Sequence, residues 1–298
     1  MYEEEVSISA SVICPVTNMA GRLQKFEKWV NEISLTSHIE TIIVHDFADE
    51  ATRSELNLIC SGLQNVQLIE GKFGNPGSAR NAGLMVAIGK QIAFWDSDDE
   101  PNTAQFVRLL KSEQVKNTDI SIARYNIFDE ITKSMSPGPI WSGNFGHDSK
   151  VFALNPGIWR MIFKRDILSD ITFNPLKMAE DQIFICQAMM KAKTITFIDD
   201  QIYTYFTGSN NHLTKNNVAL QDLMPAMQKT KALIRQNSQA DLAPLLNLMF
   251  ARQFISGLKH GSLHTKLSLL MNSIDHGFIL RISFLKSLTY ILKNRVRG

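Results

Sequence analysis

The segment QIAFWDSDDE, residues 91–100, joins a short apolar run to three aspartates within four residues, Asp96, Asp98 and Asp99. The apolar run has the length and composition of a buried β-strand. Like charges at the end of a buried strand repel each other, and burial makes that repulsion more costly. A bound multivalent cation would relieve the cost, and so would a loop end open to solvent. We call residues 96–99 the acidic tip.

Strands and helices alternate through the first hundred residues that surround this segment. The predicted strands cover residues 8–16, 40–45, 66–70 and 91–95, and the predicted helices cover residues 21–33, 52–63 and 78–88. This alternation predicts an α/β fold, with a mixed, mostly parallel sheet flanked by helices. Ligands of such sheets gather at the carboxyl ends of the strands.

The rest of the chain changes character twice. Helices are predicted from Pro101 to about residue 114 and over residues 179–192, and strands over residues 119–125, 194–198 and 201–206. Residues 134–155 are predicted to form a long Gly/Pro-rich loop, and residues 158–168 form an amphipathic segment. From about residue 216 the pattern is helical. We therefore predict one α/β domain over residues 1–208 and a helical C-terminal extension over residues 209–298.

The bulk composition argues against several classes of protein. The chain has 298 residues, of which 44% are hydrophobic, and its net charge of +2 gives no general basis for binding nucleic acid. No run approaches the roughly 20 apolar residues of a membrane span, and the start MYEEEVSIS has no apolar signal core. Its three cysteines lack metal-site spacing. These features favour a cytoplasmic protein with reduced thiols.

Two segments, each considered by itself, have features of a ligand site: one suits a nucleotide and the other a metal ion. The loop GNPGSARNAGL, residues 74–84, combines a helix start with Arg80, which suits a phosphate or nucleotide, although an ordinary turn with a surface arginine has the same pattern. Carboxylates at a strand end suit Mg²⁺ or Mn²⁺, although a solvated loop that caps the next helix would also place them there.

Four motifs in order give a more specific indication. They are SVICPVTN at residues 11–18, IIVHDFADE at 42–50, GNPGSARNAGLMVAIGKQIAFWDSDDE at 74–100 and MAEDQIF at 178–184. This set resembles glycosyltransferase family 2, whose members have the Rossmann-like GT-A fold. Residues 173–209 are similar to bacterial members that build surface polysaccharide. The resemblance extends from about residue 8 to residue 209.

The resemblance implies a nucleotide site at the first two strand ends. Pro15 and Asn18 would lie beside the base, and Asp46 looks like the aspartate that bonds to it. His45 stands where family members often have the first of two aspartates. Arg80 is similar to the family's arginine near the nucleotide.

The resemblance also implies a metal site and a catalytic base. Asp96 begins the DxD motif, and Asp98 and Asp99 resemble the pair that holds the ribose and a Mn²⁺ or Mg²⁺ ion. Which of the three aspartates binds the ion is left open by the sequence. His212, just past the last predicted strand, either completes the metal shell, contacts a phosphate or is a surface histidine. Asp181 looks like the base, whereas acidic residues at a helix start are also favoured by the helix dipole.

The implied function is that of an inverting, metal-dependent glycosyltransferase. It would move a hexosyl or N-acetylhexosaminyl group from a UDP-linked nucleotide-sugar to a hydroxyl of an acceptor, in surface polysaccharide biosynthesis. The acceptor would be a glycan or a lipid-linked molecule. One alternative is a non-catalytic module that binds nucleotide or glycan. Another is a nucleotidyltransferase that forms nucleotide-sugars, but its Gly-rich basic loop is poorly matched by PVTNMAGRLQK after the first strand.

Some further side chains have two interpretations each. Lys215 is a phosphate contact or a surface lysine, and Trp141 and Trp159 stack on a sugar or belong to the core.

The segment from His276 to the C-terminus is basic and amphipathic. Its predicted apolar face consists of Phe278, Ile282, Leu285, Leu288, Leu292 and Val296. Such a helix either lies on an anionic membrane, here the inner face of the cell membrane, or packs on its own domain.

Overall fold

The computed structural model describes residues 8–47, 49–208, 222–263, 266–267, 269–271 and 282–294. The strands are β1 Ala10–Val16, β2 Ile39–Asp46, β3 Val66–Gly71, β4 Gln91–Phe94, β5 Glu100–Pro101, β6 Ile120–Asp129, β7 Ser134–Pro137, β8 Met161–Lys164 and β9 Ile195–Thr207. The helices are α1 Gln24–Ser34, α2 Glu50–Cys60, α3 Pro76–Val86, α4 Thr103–Leu110, α5 Glu113–Lys116, α6 Phe145–Leu154, α7 Glu180–Lys191, α8 Leu223–Gln236, α9 Ala243–His260 and α10 Ile282–Lys293.

The strands form one mixed sheet in the order β3-β2-β1-β4-β8-β6-β9-β5, with β7 added to β6. Strands β1 to β4 are parallel to one another, β8 is antiparallel to both β4 and β6, and β9 runs parallel to β6. The predicted mixed, mostly parallel sheet flanked by helices is confirmed. Because β1 lies between β2 and β4, the carboxyl ends of these three strands are adjacent.

Local sequence features explain how helix α3 is placed against this sheet. Asn75 caps the helix by accepting the Ser78 N–H over 2.8 Å, and Pro76 occupies its first turn. Gly83 allows a close approach, because a Cβ there would lie 2.5 Å from Ile13 Cγ2 on β1 and 3.2 Å from Val44 Cγ2 on β2. The helix start that carries Arg80 is therefore held close to the ends of the parallel strands.

The chain divides into two compact units. The first consists of residues 1–140, 158–173 and 192–208, and contains the whole sheet and helices α1 to α5. The second consists of residues 141–157, 174–191 and 209–298, and contains helices α6 to α10. The predicted boundary after residue 208 coincides with one division point, while residues 141–157 and 174–191 belong to the second unit.

Two sequence predictions of local structure are wrong, and the structure supplies the secondary structure of a third segment. Residues 134–155 are not one long loop, because they include strand β7 and helix α6, whose Phe152 and Asp148 are buried. The amphipathic segment at residues 158–168 forms strand β8 between two 3₁₀ turns. The two short strands predicted between residues 194 and 206 are the single strand β9, which has a register shift opposite β6.

The apolar face predicted for the last helix is not the face that packs inward in its described part. In α10 the side chains of Phe284 and Ile291 are buried, whereas Leu285 and Leu292 are exposed. Phe284 packs edge-on against Phe250 and Phe254 of α9. The inward face is therefore one residue away from the predicted one, and Phe278 and Val296 lie outside the described residues.

Candidate active site

The acidic tip connects β4 to β5, and its three carboxylates have different environments. Asp98 is exposed, Asp96 is half-buried, and Asp99 is only 2% exposed. Burial raises the pKa of Asp99 well above its ordinary value, and the charges of Asp98 and Asp96 raise it further. The Phe206 N–H and the Tyr203 hydroxyl oppose this rise. Asp98 is thus the carboxylate of the tip that solvent reaches most easily.

Arg80 forms an ion pair with the tip. Its Nη2 atom lies 2.7 Å from Asp96 Oδ1, and the arginine side chain is almost fully buried. The guanidinium carbon lies 5.5 Å from the centre of the Phe173 ring. A charge-assisted hydrogen bond with little access to water fixes both partners firmly. Arg80, which was predicted to lie near the nucleotide, therefore forms an ion pair with Asp96 of the predicted metal motif.

Strand β9 contacts the tip from the other side. The Asp96 N–H donates to the Tyr203 hydroxyl over 3.0 Å, and the Phe206 N–H donates to Asp99 Oδ1 over 2.8 Å. Neither of these β9 residues was predicted from the sequence as a site residue. A tyrosine repeated at residues 203 and 205 was a visible pattern, but a backbone N–H such as that of Phe206 leaves no signal in a sequence.

The predicted base-binding residues lie at the ends of β1 and β2. Asp46 accepts the Phe73 N–H over 2.7 Å, so it also holds the loop that precedes α3. Asn18, just after β1, is exposed and has a φ of +48°, a left-handed conformation that asparagine tolerates. Pro15 is half-buried.

His45, which pairs with Val16 across the sheet, is fully buried. Its Nδ1 atom lies 3.9 Å from a Glu70 carboxylate oxygen, and its ring meets Phe47 edge-on. An imidazole in this position is part of the packed sheet edge and presents no surface to a base.

The predicted catalytic base belongs to the second unit. Asp181 lies in the first turn of α7, where its Oδ1 accepts the Gln182 N–H over 2.8 Å. Ala179, the residue just before α7, has a φ of +62°, which is unusual for a residue with a side chain. His212 and Lys215 lie outside the described residues.

Trp141 and Trp159, which the sequence placed either against a sugar or in the core, are both buried. Trp141 lies in the second unit, and Trp159 belongs to the core of the first unit, where it stacks on Tyr203 and Tyr205. The three cysteines carry no disulfide.

The tip fits a divalent cation, provided that other ligands complete the shell. In the described part of the chain, no group of three or more His, Cys, Asp and Glu side chains is arranged to hold a metal by itself. The mutual repulsion that raises the pKa of Asp99 is the effect that a cation would offset. Mg²⁺ bound through one or two carboxylates normally takes its remaining ligands from phosphates and water. Asp98, with Asp96 beside it, is the part of the tip that can supply such ligands.

The chain is similar to several known proteins. The model of the family described as Glycosyl transferase family 2 matches residues 11–171, more than half of the chain. The poly(ribitol-phosphate) beta-glucosyltransferase of Bacillus spizizenii is 27% identical over 255 residues, which are 82% of this chain and 40% of that protein. The poly(ribitol-phosphate) beta-N-acetylglucosaminyltransferase TarP of Staphylococcus aureus is 24% identical over 253 residues, 78% of this chain and 76% of TarP.

The fold is similar to a solved structure. The crystal structure of residues 1–349 of S. aureus TarS in complex with UDP-GlcNAc matches with a TM-score of 0.66 and 19% identity, over 95% of this chain and 80% of that one. At this identity the likeness shows the fold, and it confirms the predicted GT-A architecture. The chain spans well under half the length of the B. spizizenii relative.

Proposed function

The chain belongs to glycosyltransferase family 2, and from this premise we propose that it transfers a sugar from a UDP-linked nucleotide-sugar to a hydroxyl of a surface-polysaccharide acceptor. The observation that carries the proposal is the acidic tip, which Arg80 and strand β9 hold at the carboxyl edge of the parallel strands. A donor diphosphate is the ligand for which this combination of cation-binding carboxylates and a buried arginine is suited.

The donor nucleotide would lie along the ends of β1, β2 and β4. Pro15 and Asn18 would border the base, and Asp46 would accept a hydrogen bond from it. Arg80 and Asp96 would face the ribose and diphosphate. Because Asp46 already holds the Phe73 N–H, a bound base would also stabilise the loop that leads into α3.

The cation would be Mn²⁺ or Mg²⁺, with Asp98 as its direct ligand. Asp96, Asp99 and His212 are the other residues that the sequence offers for the metal site. When bound, a divalent ion stabilises the negative charge that develops on the leaving diphosphate. The exposed Asp98 suits a direct ligand. Asp99, which accepts the Phe206 N–H in the interior, suits a role in holding the tip.

Asp181 would act as the catalytic base in an inverting transfer. A carboxylate that accepts the proton of the acceptor hydroxyl makes that oxygen a better nucleophile, and such assistance typically contributes ~10²–10⁴-fold. Attack from the face opposite the diphosphate would invert the anomeric carbon. Asp181 stands in the first turn of α7, where its ionised form is stabilised by the helix dipole.

The acceptor would be a polymer of polyol phosphate or a related lipid-linked glycan. This proposal follows from the two relatives, a poly(ribitol-phosphate) beta-glucosyltransferase and a poly(ribitol-phosphate) beta-N-acetylglucosaminyltransferase. A hexosyl or N-acetylhexosaminyl group is accordingly the group we expect to move.

Contact with the inner face of the cell membrane is part of the proposal. Helix α10 exposes Leu285 and Leu292 beside Lys286 and Lys293, a mixture that suits the boundary of an anionic lipid layer. A buried protein interface would be less suited to it, because lysine is depleted in such interfaces. No helix in the described part of the chain is long and apolar enough to cross a membrane.

One assay separates this function from its alternatives. Purified protein is incubated with UDP-glucose, UDP-N-acetylglucosamine and GDP-mannose in turn, with Mn²⁺, and free nucleoside diphosphate is measured. Slow hydrolysis of one donor, accelerated by a polyol-phosphate polymer, is the expected result. Exchange of pyrophosphate would instead indicate a nucleotidyltransferase, and donor binding with no turnover would indicate a non-catalytic module.

A further inference from the structure

Strand β9 holds the acidic tip on both sides of Asp98. The Asp96 N–H donates to the Tyr203 hydroxyl over 3.0 Å before it, and Asp99 Oδ1 accepts the Phe206 N–H over 2.8 Å after it. Directly after Asp99 in the chain, β5 pairs antiparallel with β9, and Glu100 lies opposite Thr204. A short turn bonded at both ends has few conformations left. These contacts therefore decide the direction in which Asp98 points.

Tyr203 is itself immobile. Its side chain is 1% exposed, and its ring lies 4.7 Å from the Trp159 ring with 18° between their planes. Trp159 also stacks on Tyr205, at 5.2 Å and 6°, and meets Tyr125 edge-on at 4.7 Å. Close-packed aromatic rings leave little room for another rotamer. The Tyr203 hydroxyl is therefore held at a fixed position beneath the tip.

The Tyr203 hydroxyl contacts the start of the tip directly. It accepts the Asp96 N–H, and a phenol that accepts one hydrogen bond can still donate its own hydrogen. At the other end of the tip, Asp99 accepts the Phe206 N–H of the same strand. Tyr203 and Phe206 thus hold the two ends of the tip from β9.

We infer that Tyr203 is a positioning residue for the divalent cation, orienting the acidic tip so that Asp98 faces the ion without Tyr203 touching the ion itself. The inference rests on the proposed function, because the cation and the donor diphosphate belong to it. Groups that lie behind metal ligands fix the orientation of those ligands, and losing one typically lowers metal affinity by about 10–100-fold. We expect the same of the Tyr203 hydroxyl.

The test compares two conservative variants. Tyr203→Phe removes the hydroxyl and keeps the ring on Trp159, while Tyr205→Phe removes the hydroxyl of the other tyrosine stacked on Trp159. Mn²⁺ binding in the presence of UDP is followed by electron paramagnetic resonance of the free ion. UDP binding without metal and the melting temperature are measured in parallel. We expect Tyr203→Phe to bind Mn²⁺ about 10-fold more weakly, with metal-free UDP binding and melting temperature kept, and Tyr205→Phe to match wild type.

Other results would overturn the inference. Wild-type Mn²⁺ affinity in Tyr203→Phe would do so, and so would equal weakening in both variants. A large fall in melting temperature together with lost UDP binding in Tyr203→Phe would assign the hydroxyl a purely structural role. If the wild-type protein binds neither UDP nor Mn²⁺, the proposed function fails first and the inference with it, a result distinct from all the others.

Discussion

Asp98 is the carboxylate of the acidic tip that faces solvent, between two aspartates committed to other partners. Asp96 is paired with Arg80, and Asp99 accepts a backbone N–H in the interior. The three charges are therefore not equivalent, although the sequence DSDD presents them side by side. Under the proposed function, a cation that arrives with a donor diphosphate would meet Asp98 first.

Replacing Asp98 should therefore remove the metal-dependent activity. We expect Asp98→Asn to lower donor hydrolysis in Mn²⁺ by more than about 100-fold, because a direct ligand matters at least as much as the groups behind it. The matched control is Glu100→Gln, which removes a nearby charge that is paired with Lys28 on the surface. Equal activity of Asp98→Asn and wild type in the nucleoside diphosphate assay would exclude Asp98 as a ligand.

Asp181 should affect transfer and leave donor binding intact. We expect Asp181→Asn to lower acceptor-dependent release of UDP by ~10²–10⁴-fold, because the acceptor hydroxyl loses its base. The affinity for UDP with Mn²⁺, measured by calorimetry, should stay that of wild type. Asp166→Asn, at an exposed carboxylate, serves as the control. Transfer at the wild-type rate in Asp181→Asn would refute its role as base.

Helix α6 depends on a buried carboxylate at its start. Asp148 accepts the Ser142 N–H and hydroxyl at 2.8 Å, the Gly143 N–H at 2.9 Å and the His147 ring at 2.9 Å. Burial alone would raise the pKa of Asp148, but these hydrogen bonds together bring the pKa below its ordinary value. The folded state therefore favours the ionised carboxylate.

This preference predicts a pH-dependent stability. Since the folded-state pKa of Asp148 is lowered, its contribution is fully present above the ordinary carboxyl value of about 3.9 and is lost as the pH falls through the folded-state value. Asp148→Asn should lower the free energy of unfolding at pH 7 by about 2 kcal/mol, and the difference should shrink in acid. Urea unfolding at pH 7 and pH 3 measures both. Ser142→Ala, which keeps the carboxylate, should retain the pH dependence; a difference for Asp148→Asn that is the same at both pH values would contradict the prediction.

Helix α6 also shows where sequence reasoning stops. Its start contains Gly143, Asn144 and Gly146, which together indicate a loop. The helix forms because Asn144 caps it by accepting the His147 N–H, while the buried Asp148 satisfies the N–H groups of Ser142 and Gly143 in the turn before the helix. The alternation of apolar runs was enough to predict the parallel strands, because β1, β2 and β4 are buried along almost their whole length. It was not enough to predict that the amphipathic segment at residues 158–168 contains strand β8.

The candidate site divides in the same way. The acidic tip and Arg80 were predictable, because they lie next to a strand end and a helix start that the sequence marks clearly. The different environments of Asp96, Asp98 and Asp99 were not, because they depend on Tyr203 and Phe206, about a hundred positions later in the chain. Only the pairing of β9 with β5 and β6 brings those residues under the tip.

Charge is unevenly distributed over the whole molecule. Residues 242–298 contain eight Lys and Arg residues and one acidic residue, so the first 241 residues are net negative although the chain as a whole carries +2. The described part of this basic segment also exposes several large apolar side chains, Leu263, Leu267, Leu270, Met271, Leu285 and Leu292. Basic and apolar side chains that are exposed together favour an anionic lipid surface, where both contribute to binding.

Vesicle binding should therefore require both the charge and the leucines of α10. We expect wild-type protein to co-sediment with vesicles containing phosphatidylglycerol and to be released by salt, because screening weakens the attraction of the lysines. Lys286→Gln with Lys293→Gln should weaken binding by about 30-fold, since each lysine near an anionic surface contributes about 1 kcal/mol. Leu285→Asn with Leu292→Asn should weaken it at least as much, because the inserted apolar area is lost. Leu35→Asn, at an exposed leucine of the first unit, is the matched control and should bind as wild type does. If all four proteins pellet equally, or if none pellets, α10 is not a membrane contact, and its exposed leucines need another partner.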